Sequence, residues 1–179
     1  MLKRVFLAFA LAMAAILAFA DDAGGLIEGE GWAFLVSAPT GWVWDSHSLR
    51  AQGIEGLFYK EGAQFVPTAL HIYIYPTQKI DGGPANLAEF EQADENAFMA
   101  SSSGVLVKNL SIYSSSVGYN FAMRDLDDQN EDYYQAIAYY EGDEAFFIFV
   151  LSCRSPEERE RERGAFFELL DSFTYLRKE

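Results

Sequence analysis

The sequence predicts an α+β fold: an antiparallel sheet with one inserted helix and one C-terminal helix packed on it, an α+β sandwich. Three observations carry this. Residues 68–75 alternate strictly, with Leu70, Ile72 and Ile74 on one side and His71, Tyr73 and Tyr75 on the other. Residues 117–123, 133–140 and 145–153 are three consecutive strand-like runs joined by short polar connections, an antiparallel arrangement. Residues 85–101 and 155–173 carry helical signals.

Before the first strand stands a leader. Lys3 and Arg4 precede an apolar run over 5–17, and Ala18-Phe19-Ala20 places small residues where a signal peptidase cuts. Residues 1–20 therefore read as a cleavable secretory signal, too short in its apolar core for a membrane span of about 20 residues. Residues 21–31 are small, acidic and Gly-rich, and read as a flexible lead-in. One domain is expected over 32–179, a length that buries about 70% of its unfolded surface.

Each element follows from local chemistry. Residues 32–38 form a first strand, ended by the turn residues Pro39-Thr40-Gly41. Trp42-Val43-Trp44 and residues 56–60 make two short strands, and Pro76 closes the strand of 68–75. In the inserted helix Leu87, Phe90, Ala93 and Ala97 recur at helical spacing, with Glu89, Glu91, Asp94 and Glu95 on the outer face. Residues 105–110 are a further strand, and the acidic run 125–132 reads as a solvated hairpin turn. The run 145–153 is apolar on both alternating sides, which demands a central strand covered on both faces. Ser155, Pro156 and Glu158 spell a capping box. The apolar face of that helix begins only at Phe166, so its first two turns are expected in solvent.

The chain carries a net charge of −14, and its leader holds two basic residues and no acid. Nucleic acid and anionic lipid surfaces are disfavoured as partners, because both repel it. Stable membrane insertion after signal cleavage is not expected. An exported protein with only Cys153 forms no internal disulfide, and that thiol lies in an apolar strand where it reads as buried and inert.

No catalytic constellation emerges. The two imidazoles are His47, flanked by Ser46 and Ser48, and His71; no nucleophile-elbow pattern accompanies either. Asp125, Asp127, Asp128, Asn130, Glu131 and Asp132 are oxygen ligands of the kind Ca²⁺ favours, but their spacing fails the EF-hand pattern. No metal ligand set and no cofactor motif is assigned. The suggestive feature is aromatic: Trp42, Trp44, His71, Tyr73 and Tyr75 form the candidate ligand-binding set, a surface for a peptide, glycan or protein partner.

The segment Phe34-Leu35-Val36-Ser37-Ala38-Pro39-Thr40-Gly41-Trp42 and the segment Phe166-Phe167-Glu168-Leu169-Leu170-Asp171-Ser172-Phe173 resemble the opening strand and turn and the closing helix of the PsbP/Mog1-like superfamily, over about residues 32–176. The resemblance implies an α+β sandwich acting as a binding or assembly module, as in photosystem-associated extrinsic proteins, a nuclear GTPase-binding protein and exported bacterial members of unknown function. It transfers no functional residue, because the matching positions are packing and turn residues. The sequence thus supports an exported, non-catalytic binding or assembly module, periplasmic or extracellular, with an envelope or secreted protein as the expected partner. A hydrolase whose site assembles only in three dimensions and a calcium-binding protein are the alternatives.

Overall fold

The computed structural model describes residues 24–66, 69–101, 105–128, 130 and 133–177; the leader at 1–20 lies outside them. In chain order the elements are β1 (Gly24–Glu28), β2 (Trp32–Ser37), β3 (Trp42–Asp45), a 3-10 turn (Arg50–Gln52), β4 (Gly56–Lys60) and β5 (His71–Gln78). Then come α1 (Leu87–Ser101), β6 (Val105–Ser114), β7 (Asn120–Asp128), β8 (Tyr133–Glu141), β9 (Ala145–Cys153), α2 (Pro156–Ser172) and β10 (Thr174–Arg177). Seven strands form one sheet in the order β3-β4-β5-β9-β8-β7-β6, and β1-β2-β10 form a smaller one. Neighbouring strands are antiparallel.

The doubly apolar β9 takes the middle of the large sheet, and all of its residues are buried. One face, with Phe147, Phe149 and Leu151, packs under α2 and the small sheet. Phe173, at the C-cap of α2, anchors that layer, its ring centroid 5.4 Å from Phe34 and 5.2 Å from Phe149. We call this the closed face. The other, with Ile148 and Val150, is covered in part by α1 and forms a smaller cluster with Phe90 and Tyr139. The turn between β2 and β3 closes by Trp42 N–H donating to Pro39 O at 2.9 Å, with Gly41 at φ +75, where a side chain would be strained.

Several expectations are corrected. Residues 24–28, placed in the flexible lead-in, form β1, which pairs with β2 from Gly24↔Ser37 to Glu28↔Ala33; the backbone ladder supplies what this Gly-rich stretch lacks in side-chain pattern. Pro76 does not end β5, which runs on to Gln78. Strand β4 pairs with β5 only at residues 72–74, so at Pro76 a ladder is present on the β9 side alone and a missing N–H is tolerated.

The inner face of α1 also differs. Ala93 and Ala97 are exposed, whereas Glu91, Asp94 and Glu95 are half-buried against the sheet. Arg124 on β7 donates to Glu95 at 2.9 Å and pairs with Glu91, and the Tyr139 hydroxyl donates to Asp94 at 2.7 Å. These fixed partners turn the acidic side of the helix inward.

The acidic run is not a solvated turn over its first half. Asp125, Asp127 and Asp128 lie in β7 and are buried. Asp127 meets Arg159 and Lys108, and Asp125 accepts from Arg163 at 2.8 Å. For the same reason the first turns of α2 are not solvated throughout: Arg159 is buried, because its guanidinium reaches β7. The cap itself is as expected, with Ser155 Oγ accepting from Glu158 N–H at 3.1 Å, but Glu158 returns its bond to Arg154 N–H.

Candidate functional site

Cross-strand register assembles a cleft on the face that α1 only partly covers. Tyr73 stands opposite Val150, which stands opposite Ile137; Tyr75 stands opposite Ile148, which stands opposite Tyr139. Because side chains alternate, these rows point to one side of the sheet. Tyr73, Tyr75, Ile148, Val150, Gln135 and Ile137 line the floor of a cleft of about 280 Å³. Asp94 and Phe98 of α1 form one wall, and Gln52 and Ile54, beside the 3-10 turn, form the other. The turn fits against Tyr75 because residue 53 is glycine: at φ +82, a Cβ there would come within 2.8 Å of the Tyr75 ring.

The polar groups of the cleft are few and convergent. Gln135, wholly buried on β8, donates its amide N–H groups to the hydroxyls of Tyr73 (3.2 Å) and Tyr133, while its Oε1 has no partner. Burial, then the neighbouring Tyr133 and the charge of Asp94, push the Tyr73 hydroxyl far above the usual tyrosine range, so it stays protonated. Burial raises the Asp94 carboxyl, against the opposing effects of the Tyr139 hydroxyl and Arg124. Tyr139 is pushed upward in turn by burial and by Asp94. A partly buried carboxyl group beside aromatic residues and a buried amide is an acceptor-rich recognition surface.

The sequence-derived aromatic set is divided by the sheet. Tyr73 and Tyr75 line the cleft. His71 is buried at its end, stacked on Tyr73 at 5.6 Å and edge-on to Phe65, with Nδ1 2.7 Å from Ala69 O. A carbonyl only accepts, so Nδ1 carries the proton, and burial holds the imidazole below the usual histidine range despite that bond. Trp42 and Trp44 belong to the closed face instead. Trp42 is buried there, with Lys60 Nζ 4.5 Å over its ring, and Trp44 packs toward Gly25 of β1.

The catalytic alternatives find no assembled geometry in these residues. Ser48 donates to Asp45, which also accepts the backbone N–H groups of His47 and Ser48, a self-contained turn. Cys153 is on the closed face and His71 on the opposite one, although their strands are neighbours. Burial pushes the thiol up to about 12. Among the described residues, no group of three or more His, Cys, Asp or Glu is placed to hold a metal ion.

No protein-family model and no curated protein matches the sequence. Solved structures do match. The solution structure of cyanobacterial PsbP (CyanoP) from Synechocystis sp. PCC 6803 aligns at a TM-score of 0.54 and 11% identity, covering 87% of this chain and 94% of that one. This chain has a PsbP-like fold. A point mutant of the protein Mog1 also aligns, at a TM-score of 0.46 and 9% identity, covering 84% of this chain and 95% of that one. On this PsbP-like frame the cleft occupies the side of the large sheet away from α2. Gln135 and Asp94 were missed by sequence reasoning. The one signal for Gln135 was an amide within the run Tyr133-Tyr134-Gln135-Ala136-Ile137, where a strand face is otherwise apolar. Asp94 offered none, because it looked like part of a solvated helix face.

Proposed function

We propose that this chain is an exported, non-catalytic binding module and that the cleft between α1 and strands β5, β9 and β8 is its ligand site. The observation that carries the reading is Gln135. A wholly buried amide oxygen without a hydrogen-bond partner, on a side chain that lines a cleft beside aromatic residues, is costly unless a ligand donor reaches it. Export is supported by the leader pattern of residues 1–20. No helix among the described residues is long and apolar enough to cross a membrane. Of the aromatic candidates, Tyr73 and Tyr75 contact the ligand in this reading, and His71 supports the ring of Tyr73.

The test is a fragment screen by two-dimensional NMR on the purified protein, with an envelope-fraction pull-down in parallel. Fragments that shift Tyr73, Tyr75, Gln135 and Ile148, and lose affinity in Tyr75→Ala, support the reading. Shifts confined to the Trp44 side of the molecule, or hydrolytic turnover abolished by His71→Ala, overturn it.

A further inference from the structure

The cleft as a ligand site is the reading given above, and the present inference rests on it; it concerns the charge of what binds. The polar groups lining the cleft offer acceptors without a matching cation. Gln135 spends its N–H groups on two phenols and leaves Oε1. Asp94 receives the Tyr139 hydroxyl on one carboxyl oxygen and leaves the other at the wall. No Lys, Arg or His is among the described residues that line the cleft. The cation nearest this chemistry, Arg124, is held between Glu91 and Glu95 and is shared with Asp94 only through space.

These facts discriminate among ligands. An anion would meet Asp94 and the field of a chain with net charge −14. A purely apolar group would cover the Asp94 carboxyl and leave the already buried Gln135 oxygen without a donor. A cation carrying N–H groups satisfies both, and Tyr73, Tyr75 and Phe98 present rings to it. We propose that the cleft binds a compact organic cation, a protonated amine or guanidinium on a short apolar stem. A volume of about 280 Å³ lies just below the usual range for ligand sites, which suits one ring or one side chain. A free amine and a basic side chain of a partner protein share this chemistry.

The experiment titrates four probes into isotopically labelled protein and follows chemical shifts: phenethylammonium, N-acetyl-arginine methylamide, 2-phenylethanol and 3-phenylpropionate. Both cations should saturate, with shifts at Gln135, Tyr75 and Asp94, and bind about tenfold or more tighter than the alcohol and the carboxylate. Asp94→Asn should erase that preference; the amide oxygen still accepts from Tyr139, and unshifted resonances on the closed face would verify folding. Tyr75→Ala, at a residue 39% exposed, should weaken both cations without disturbing the core. Tighter binding of the arginine probe would assign the site to a partner's side chain, and tighter binding of the amine to a free small molecule. If the alcohol or the carboxylate binds the cleft as well as the cations do, or Asp94→Asn keeps the preference, the inference on charge fails while the cleft stands. If none of the probes moves a cleft resonance, both readings fail.

Discussion

Arg159 Nη1 lies 2.5 Å from Asp127 Oδ1, in an ion pair whose side chains are 5% and 3% exposed. The same nitrogen donates to Gln135 O at 3.1 Å, so one guanidinium ties the first turn of α2 to both β7 and β8. It joins the helix to the strand whose outward side chain lines the cleft.

Arg159→Met is expected to destabilise the protein by about 3 kcal/mol, because it leaves a buried carboxylate with Lys108 alone. The double variant Arg159→Met, Asp127→Leu should recover much of that loss, since the buried carboxylate is gone, Asp125 keeps Arg163 and the half-exposed Lys108 is left to solvent. Urea denaturation of the four species measures the coupling. The pair is also pH-linked. Burial raises the Asp127 carboxyl, but hydrogen bonds and charge from Lys108 and Arg159 outweigh it and hold it below the usual range. Its stabilisation is therefore present above the unfolded value of about 3.9 and is lost as pH falls through the lower folded value.

His71 gives a second handle of the same sign in a higher pH window. Its folded pKa is depressed by burial, so between the unfolded value of about 6.5 and the folded one only the unfolded chain binds the proton. Stability should fall as pH drops through that window and level off below it. Its ring faces Phe65 and Tyr73, and Ala69 O accepts from Nδ1. Denaturation midpoints at pH 7.5 and 5.5 should differ less in His71→Phe than in the parent; an equal difference would show that His71 does not titrate in this range.

Gly53→Ala should cost about 1 kcal/mol or more, from strain at positive φ and from the displaced Tyr75 ring. The informative readout is local. Chemical shifts of Tyr75 and Ile54 should move while those of Phe149 and Phe173, on the closed face, remain in place.

Cys153 should be inert in the native protein. With its thiol pushed up to about 12 and the residue 3% exposed, it should resist a disulfide-exchange reagent at pH 8 and react at once in denaturant. Rapid native reaction, or a covalent dimer without reductant, would contradict this placement.

Much of the architecture was legible because single elements carried unambiguous chemistry. Alternate apolarity on both sides of β9 announced a central strand, and Ser155, Pro156 and Glu158 announced the start of α2. What escaped were features decided by distant partners. Asp125 and Asp127 looked like a turn, since the arginines that bury them sit on α2, more than thirty residues away. Glu91, Asp94 and Glu95 looked solvated because Arg124 and Tyr139, which turn them inward, come from β7 and β8. The candidate site suffered most. Tyr73 and Tyr75 were marked by their strand, but which of the sheet's sides each Trp joined depended on pairing, and the cleft's polar groups were visible only once the strands were in register.

The small sheet has a temporal consequence. Strand β2 is flanked by β1 from the start of the described chain and by β10, which follows α2. A polypeptide emerging N-terminus first, from a ribosome or a translocation channel, cannot complete that layer until residues 174–177 are free. Until then Phe34, Phe147 and Phe149 have no Phe173 to pack against. The nascent protein thus exposes apolar surface that needs shielding during its passage, and cleavage of a finished molecule ahead of Phe173 would return it to that state.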